Sequence, residues 1–179
     1  MTPLVSQLWP QFMADPDFAA SFGRVIVEHA RMLRQERQVV FTLRSAAPLD
    51  KGLCARLLAS LQPDYEGFEL KIDNLFGYAA LDEAALRELM EEMKRDGIPI
   101  NGFLDRCRIT ITGQNITVGV CHGTKFLQEM EFERLLADRV AAHTGVRPKV
   151  TLTSAVGEAE QRQICLLYTS PSPRDRSLS

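Results

Sequence analysis

Two cysteines and a histidine, which are common metal ligands, lie at the ends of one predicted hairpin. They are Cys107, Cys121 and His122. Because successive strand side chains point to opposite faces, the hairpin register places Cys107 on the apolar face and Cys121 on the other. The two thiols are therefore not expected to converge on one ion. A core cysteine with a surface histidine is the favoured interpretation, and no metal or other cofactor is predicted.

Neither a phosphate-binding loop nor a catalytic carboxylate pair is indicated. The run Gly123-Thr124-Lys125 precedes a predicted helix, but its glycine is not next to the lysine. The glycine that a phosphate loop needs four positions before a Gly-Lys pair is also absent. Glu91 and Glu92 are adjacent on another predicted helix, where such side chains splay apart. The sequence thus predicts no active site.

An arginine cluster around the first predicted hairpin is the remaining candidate for a contact surface. Its central members are Arg31, Arg34 and Arg37. Arg24 belongs to the same cluster, and Arg44 with Arg56 could extend it. A solvated hairpin tip is the ordinary interpretation, and contact with a nucleic acid or a protein partner is the functional alternative.

Composition places the chain among soluble globular proteins. The 179 residues are 45% hydrophobic and 25% charged, with a formal net charge of −2. That charge shows no overall bias toward nucleic acid. No apolar run approaches the roughly 20 residues of a membrane helix, and no secretory leader is evident at the start. The four cysteines lack CxxC spacing, so reduced thiols are predicted. Because neither a membrane helix nor a leader is indicated, a cytoplasmic location and no membrane partner are predicted as well.

The first half of the chain predicts the order strand, strand, helix, strand. Proline-interrupted helical turns lead to two β-rich segments at 24–33 and 38–44, which are typical of a hairpin. Asp50 is suited to cap a helix that Pro63 ends. The run FELKID, residues 68–73, alternates apolar and charged side chains like a half-buried strand.

The second half predicts the same order after one further helix, which Asp82 can cap. A type II′ turn at Gly113-Gln114 pairs Ile111 with Ile116, Ile109 with Val118 and Cys107 with Val120. Helical sequence at 124–143 is expected to break near 129–131, because its apolar positions do not keep one stripe. The run RPKVTLT then returns as a strand.

The predicted fold class is therefore α+β, with two small subdomains that each have a strand-strand-helix-strand core. The first subdomain is placed at 1–78 and the second at 79–154, with the start of a linker at 155–164. The shared order is compatible both with an internal duplication and with chance recurrence in an α+β protein. The sequence leaves these two explanations open.

The second subdomain resembles a truncated type II KH fold. Its helix-strand-strand-helix-strand order over residues 82–153 carries the resemblance. That family commonly binds single-stranded RNA or DNA through a GXXG loop between two helices, and nothing from Thr124 to Gly145 supplies such a loop. A KH-like single-stranded nucleic-acid-binding module is accordingly kept as the alternative function.

A second resemblance rests on GIPINGFLDRCRITITGQNITVGVCHGTKFLQ, residues 97–128, and on RQVVFTLRSAAPLDKGLCARLLASL, residues 37–61. Both segments are similar to the N-terminal domain of the PolC-type DNA polymerase III alpha subunit of Gram-positive bacteria. The resemblance covers about residues 20–157. It implies a non-catalytic fragment that makes protein-protein contacts in the replisome, with clamp-loader or other fork components as partners.

The same resemblance implies that DNA is reached only through the parent polymerase. That parent would be a DNA-directed DNA polymerase with a 3′–5′ exonuclease. None of its catalytic acids matches a position in this chain, so no catalytic residue is carried over.

The last residues differ in character from the rest. CLLYTSPSPRD, residues 165–175, resembles a translated sequencing adapter. Two prolines separated by a serine and the lack of apolar periodicity give this run nothing to pack. Residues 165–179 are therefore expected to be an artefactual, disordered tail on a truncated gene.

Overall fold

A computed structural model describes residues 2–100 and 102–154, and all structural statements below concern these residues. The α-helices are α1 Val5–Leu8, α2 Pro16–Phe22, α3 Lys51–Leu61, α4 Glu83–Arg95, α5 Thr124–Glu129 and α6 Phe132–Thr144. The strands are β1 Ile26–Leu33, β2 Gln38–Arg44, β3 Glu69–Leu75, β4 Arg108–Thr112, β5 Asn115–Val120 and β6 Lys149–Ser154. Short 3-10 helices cover Pro10–Ala14, Gln62–Tyr65 and Tyr78–Ala80.

The predicted α+β class is confirmed, and the chain forms two compact units with one three-stranded sheet each. The first unit runs to Met90 and includes Ala137–Pro148, whereas the second consists of Glu91–Leu136 and the segment that begins at Lys149. The units thus do not follow the predicted division after residue 78, because packing rather than chain order decides which segments cluster. The predicted linker and tail at 155–164 and 165–179 lie outside the described residues.

The first sheet has the order β1-β2-β3, with β1 antiparallel to β2 and β2 parallel to β3. The parallel pair needs a crossover, and α3 supplies it. Asp50 caps α3 as predicted, because its Oδ1 accepts a hydrogen bond from the Leu53 amide at 2.8 Å. The core beneath this sheet is made by alternate strand residues and by the helices, and its buried members include Phe22, Val39, Phe41, Leu43, Leu57 and Leu61.

The second sheet repeats this arrangement with β4 antiparallel to β5 and β5 parallel to β6. The predicted pairs Ile111–Ile116 and Ile109–Val118 are present. Gly113 has φ +57° in the two-residue turn, a backbone angle that glycine adopts without strain. The predicted Cys107–Val120 pair has the same register but falls outside the ladder, because β4 begins one residue later, at Arg108.

The predicted break in the last helical segment is also confirmed. The segment divides into α5 and α6, and Glu131 between them has φ +55°. A non-glycine residue with such an angle cannot continue a right-handed helix. The recurrence seen in the sequence therefore extends from element order to strand order and pairing direction, with one helix, α3, in the parallel connection of the first sheet and two, α5 and α6, in that of the second.

Candidate interaction site

The residues considered as metal ligands are separated by burial. Cys107 is buried, whereas Cys121 is exposed with its thiol 3.9 Å from the carbonyl oxygen of Arg106. Over residues 2–100 and 102–154, no three His, Cys, Asp or Glu side chains are grouped so that they could hold a metal ion.

The adjacent carboxylates of α4 diverge, as predicted. Glu91 accepts a hydrogen bond from Lys94 Nζ at 2.7 Å, and Glu92 Oε1 lies 4.0 Å from the guanidinium of Arg95. Lys94 Nζ also lies 3.3 Å from Asp105. Hydrogen bonding to Glu91, supported by Asp105 and opposed by desolvation, raises the pKa of Lys94. Each carboxylate thus has its own cation at the surface of the helix.

The three arginines singled out from the sequence lie at the exposed end of the β1–β2 hairpin. Arg34 and Arg37 belong to its turn, and Arg37 has φ +50°. Arg31 lies in β1 with its guanidinium 3.8 Å from the carboxylate of Asp73 in β3, and both side chains are half exposed. An exposed pair of this kind contributes little stability, but it offsets the charge of Arg31.

The arginines expected to extend this cluster are engaged elsewhere. Arg44 pairs with Glu28, and this hydrogen bond lowers the pKa of Glu28 and raises that of Arg44. Arg56 donates to Asp15 at 2.6 Å and lies 5.7 Å from the ring centroid of Phe18. Arg56 thereby joins α3 to the start of α2, and the hydrogen bond lowers the pKa of Asp15.

The first sheet has one face that turns away from the core, here called the outer face. Strand register and burial assign to it His29, Arg31, Gln38, Val40, Thr42, Glu69, Lys71 and Asp73. The two central members, Val40 and Thr42, are only 6% and 4% exposed. The longer side chains of the edge strands therefore stand on both sides of a buried central row.

Charges on the outer face are largely matched within the face. Lys71 Nζ lies 3.6 Å from Glu69, whose carboxylate also accepts a hydrogen bond from Gln38 at 2.8 Å. The hydroxyl of Thr42 lies 3.1 Å from Nε2 of His29. Together with the Arg31–Asp73 pair, these contacts give the face alternating charge and no strong excess of either sign.

Asn74, at the end of β3, organises the neighbouring loops, and sequence reasoning did not identify it. Its Oδ1 accepts from the Leu49 amide at 2.8 Å, and its Nδ2 donates to the Ser45 hydroxyl at 2.7 Å. Nδ2 also lies within 3.4 Å of the carbonyl oxygens of Leu43 and Leu75. The only signal in the sequence is an asparagine at the end of an alternating strand, where a turn residue is common.

A group of three rings in the second unit was likewise not predicted. The aromatic cluster consists of Phe103, His122 and Phe126, with the Phe103 centroid 5.5 Å from that of His122 and 5.2 Å from that of Phe126. Gly123 lies against Phe103 with φ +77°. A Cβ at Gly123 would approach the Phe103 ring to 2.1 Å. Glycine is therefore required where the cluster forms.

No protein-family model matches the chain, and neither the curated proteins nor the solved structures contain a significant match. None of the helices within the described residues combines the length and the apolar character that crossing a membrane demands.

Proposed function

We propose that this chain is a non-catalytic protein-protein interaction module from the N-terminal region of a PolC-type DNA polymerase III alpha subunit. Its role is to contact other proteins of the bacterial replisome, in the cytoplasm, while DNA is engaged by the parent polymerase. The resemblance of residues 37–61 and 97–128 to that family supports this proposal. The two sheet units and the outer face of the first sheet are compatible with it.

The observation that carries the proposal is the balanced charge of the outer face. A protein partner can present acidic and basic groups opposite Arg31, Lys71 and Asp73 together, so complementarity with both signs favours a specific protein. A nucleic-acid backbone presents only negative charge and selects surfaces with a basic excess. The net charge of −2 and the acids beside Arg31 and Lys71 favour the protein partner.

A pull-down with purified replisome proteins tests the proposal. The full chain is immobilised and exposed separately to clamp-loader subunits, helicase and sliding clamp from a Gram-positive bacterium. We expect at least one of them to be retained by the unmodified chain. Retention of none, by a chain whose circular dichroism shows it to be folded, would reject the replisome assignment.

A charge-reversal comparison locates the contact. Arg34→Glu changes the hairpin turn beside the outer face, and we expect it to weaken retention about fivefold or more. Arg95→Glu is a matched control, because Arg95 is a similarly exposed arginine of the second unit, 61% accessible at its side chain. Equal losses in both variants would argue for a general charge effect and against this surface.

The second candidate function is a KH-like module for single-stranded nucleic acid. The order α4-β4-β5-α5-α6-β6 favours it, since it is the helix-strand-strand-helix-helix-strand order of the type II KH family. The junction of α5 and α6 contains Met130 and Glu131 rather than a GXXG loop. Fluorescence anisotropy with single-stranded DNA and RNA decides the matter: salt-sensitive binding at micromolar protein supports this function, and its absence eliminates it.

A further inference from the structure

The β4 strand forms one edge of the second sheet, and part of its backbone points away from β5. The two-residue turn at 113–114 makes Thr112 and Asn115 the pair next to the turn. In such a hairpin this pair exchanges both backbone hydrogen bonds, and bonded and non-bonded pairs alternate along the rest of the ladder. The amide and carbonyl groups of Ile109 and Ile111 therefore point away from β5, toward the edge of the sheet.

The bonds between β5 and β6 support this alternation. The amide of Lys149 in β6 donates to the carbonyl oxygen of Gln114, just before β5 begins, at 2.8 Å. Even-numbered residues along β5 thus turn their backbone groups toward β6, because these groups alternate in direction along a strand. The odd-numbered residues, Asn115 and Thr117 among them, then turn theirs toward β4, as the turn requires.

The other three edge strands are each covered or irregular along their outer side. β1 pairs with Leu4 at its start and has a register shift soon afterwards. In β3 the carbonyl oxygen of Asn74 lies 2.9 Å from Nδ1 of His143. In β6 the amide of Leu152 donates to the Glu133 carboxylate at 2.7 Å. Natural sheets commonly use such devices to keep an edge from pairing with another chain.

β4 has none of these devices among residues 2–100 and 102–154. Its sequence, RITIT, has no proline or lysine, and it pairs with β5 without a register shift. Within the same residues, no hydrogen bond from another segment reaches the outward amides and carbonyls of Ile109 and Ile111. The edge thus offers two donors and two acceptors in the pattern that a further antiparallel strand takes up.

We propose that β4 pairs antiparallel with β4 of a second copy of this chain, across a two-fold axis at Thr110. Ile109 then lies opposite Ile111 of the second copy, and Ile111 opposite Ile109. Each of these two pairs exchanges both backbone hydrogen bonds, so all the outward groups of both strands are bonded. The inference goes beyond the proposed function and does not depend on it.

The second copy is favoured because β4 is complementary to itself about this axis. Ile109 and Ile111 lie on the same face of the sheet as the buried Ile116, and the pairing continues that apolar face from one copy to the other. Arg108, the only charged residue of β4, meets Thr112 and not a second cation. A register shifted by one residue would place each isoleucine opposite a polar residue, so the apolar face selects this register.

Sedimentation velocity of the full chain between about 10 μM and 1 mM tests the proposal. We expect the weight-average sedimentation coefficient to rise with concentration, with a dimer dissociation constant of about 100 μM to 1 mM. The dimer is weak because a pairing of five residues buries well under the roughly 1,200 Å² at which stable interfaces begin. A sedimentation coefficient of the monomer throughout this range overturns the proposal.

Substitutions at Thr110 test the axis itself, because this exposed residue faces its own copy. Thr110→Lys and Thr110→Glu each bring like charges together, and each should weaken self-association at least about fivefold. An equimolar mixture of the two variants should associate at least as well as the unmodified chain, since opposite charges then meet. This recovery also shows that both variants fold.

Thr151→Lys is the matched control for Thr110→Lys. Thr151 is an exposed threonine on the same face, and it pairs with Thr117 at the other edge of the sheet. The proposal expects its dissociation constant to stay within about twofold of the unmodified chain. An equal loss in Thr151→Lys and Thr110→Lys, or a mixture that associates no better than its components, contradicts the pairing through β4.

Ile111→Pro tests the backbone contact, because proline deletes an outward amide and no bond to β5. We expect it to weaken self-association at least about fivefold, whereas Ile111→Val, which keeps the amide and a β-branched side chain, should change it less than about twofold. Equal dissociation constants in the two variants would count against the proposal. A chain that stays monomeric, but loses a retained replisome protein in Ile111→Pro, would assign the edge to that protein and overturn the self-pairing.

Discussion

Replacing Asn74 with alanine is expected to lower the free energy of unfolding of the first unit by about 2 to 3 kcal/mol. The side chain of Asn74 makes two short hydrogen bonds, with the Leu49 amide at 2.8 Å and the Ser45 hydroxyl at 2.7 Å. Each is worth about 1 kcal/mol net, and the half-buried Leu49 amide loses its partner when the side chain is removed. The longer contacts with Leu43 and Leu75 add less.

The assay exploits the single tryptophan of the chain. The Trp9 ring lies 5.6 Å from that of Phe41 in an edge-on arrangement, so its fluorescence reports the core of the first unit. Urea titrations at constant slope convert the predicted loss into a midpoint shift of about 1 to 2 M, for a slope of about 1.5 kcal/mol per M. The control Gln38→Ala removes an exposed amide that bonds Glu69, and it should shift the midpoint much less.

A second variant separates the acceptor of Asn74 from its donor. Asn74→Asp keeps an oxygen for the Leu49 amide but brings a carboxylate toward the carbonyl oxygens of Leu43 and Leu75. The pKa of this new carboxyl should be raised in the folded state, so the variant is most stable below its unfolded pKa of about 4 and loses stability as the pH rises. A loss under about 0.5 kcal/mol in Asn74→Ala, or none of this pH dependence in Asn74→Asp, would refute the assigned role.

Three further predictions follow from individual groups. Burial, with a contribution from a nearby carboxylate, raises the pKa of Cys54 to about 11, so only about one thousandth of this thiol is thiolate at pH 8. Peptide mapping after iodoacetamide treatment should find exposed Cys121 alkylated before Cys54, and equal rates at the two cysteines would contradict this. Glu133 accepts a hydrogen bond at 2.7 Å from the backbone amide of Leu152 in β6. Glu133→Ala should lower the free energy of unfolding in urea by about 1 to 2 kcal/mol, and Glu133→Gln, which keeps an accepting oxygen, by about half as much or less. Equal losses in the two variants would assign the effect to charge. The pKa of Asp15 is lowered chiefly by its hydrogen bond to Arg56. The stability that this carboxylate contributes is therefore present above its unfolded pKa and is lost as the pH falls through its folded pKa. In Asp15→Asn the free energy of unfolding should change less between about pH 5 and 2 than in the unmodified chain, and an unaltered pH dependence would count against the Asp15–Arg56 pair.

Much of the fold was predictable because its signals are local. Alternation in FELKID and the hairpin turn at Gly113 follow from the period of a strand and from the backbone freedom of glycine. The caps at Asp50 and Asp82 follow from side chains that can accept from the first helical amides, and both contacts are present. The break before α6 was predictable from the loss of a single apolar stripe.

The candidate surfaces were less predictable, because their contacts join residues that are distant in the chain. The cluster around Arg31 was visible, but its acidic neighbour Asp73 lies 42 positions later and meets it only through the parallel pairing of β2 with β3. Similarly, nothing in the local pattern around Phe103 announces that Gly123 leaves room for its ring.

By itself, the sequence determined which segments are strands and helices, where most of them begin and end, and how the second hairpin is paired. The tertiary structure alone decided that Arg31 of the hairpin lies beside Asp73, that Asn74 joins three segments, and that Phe103 packs against Gly123 and two further rings. The physical reason is that capping and periodicity depend on neighbours within about four residues. Charge balance and ring packing depend on the sheet and helix contacts that the folded chain creates.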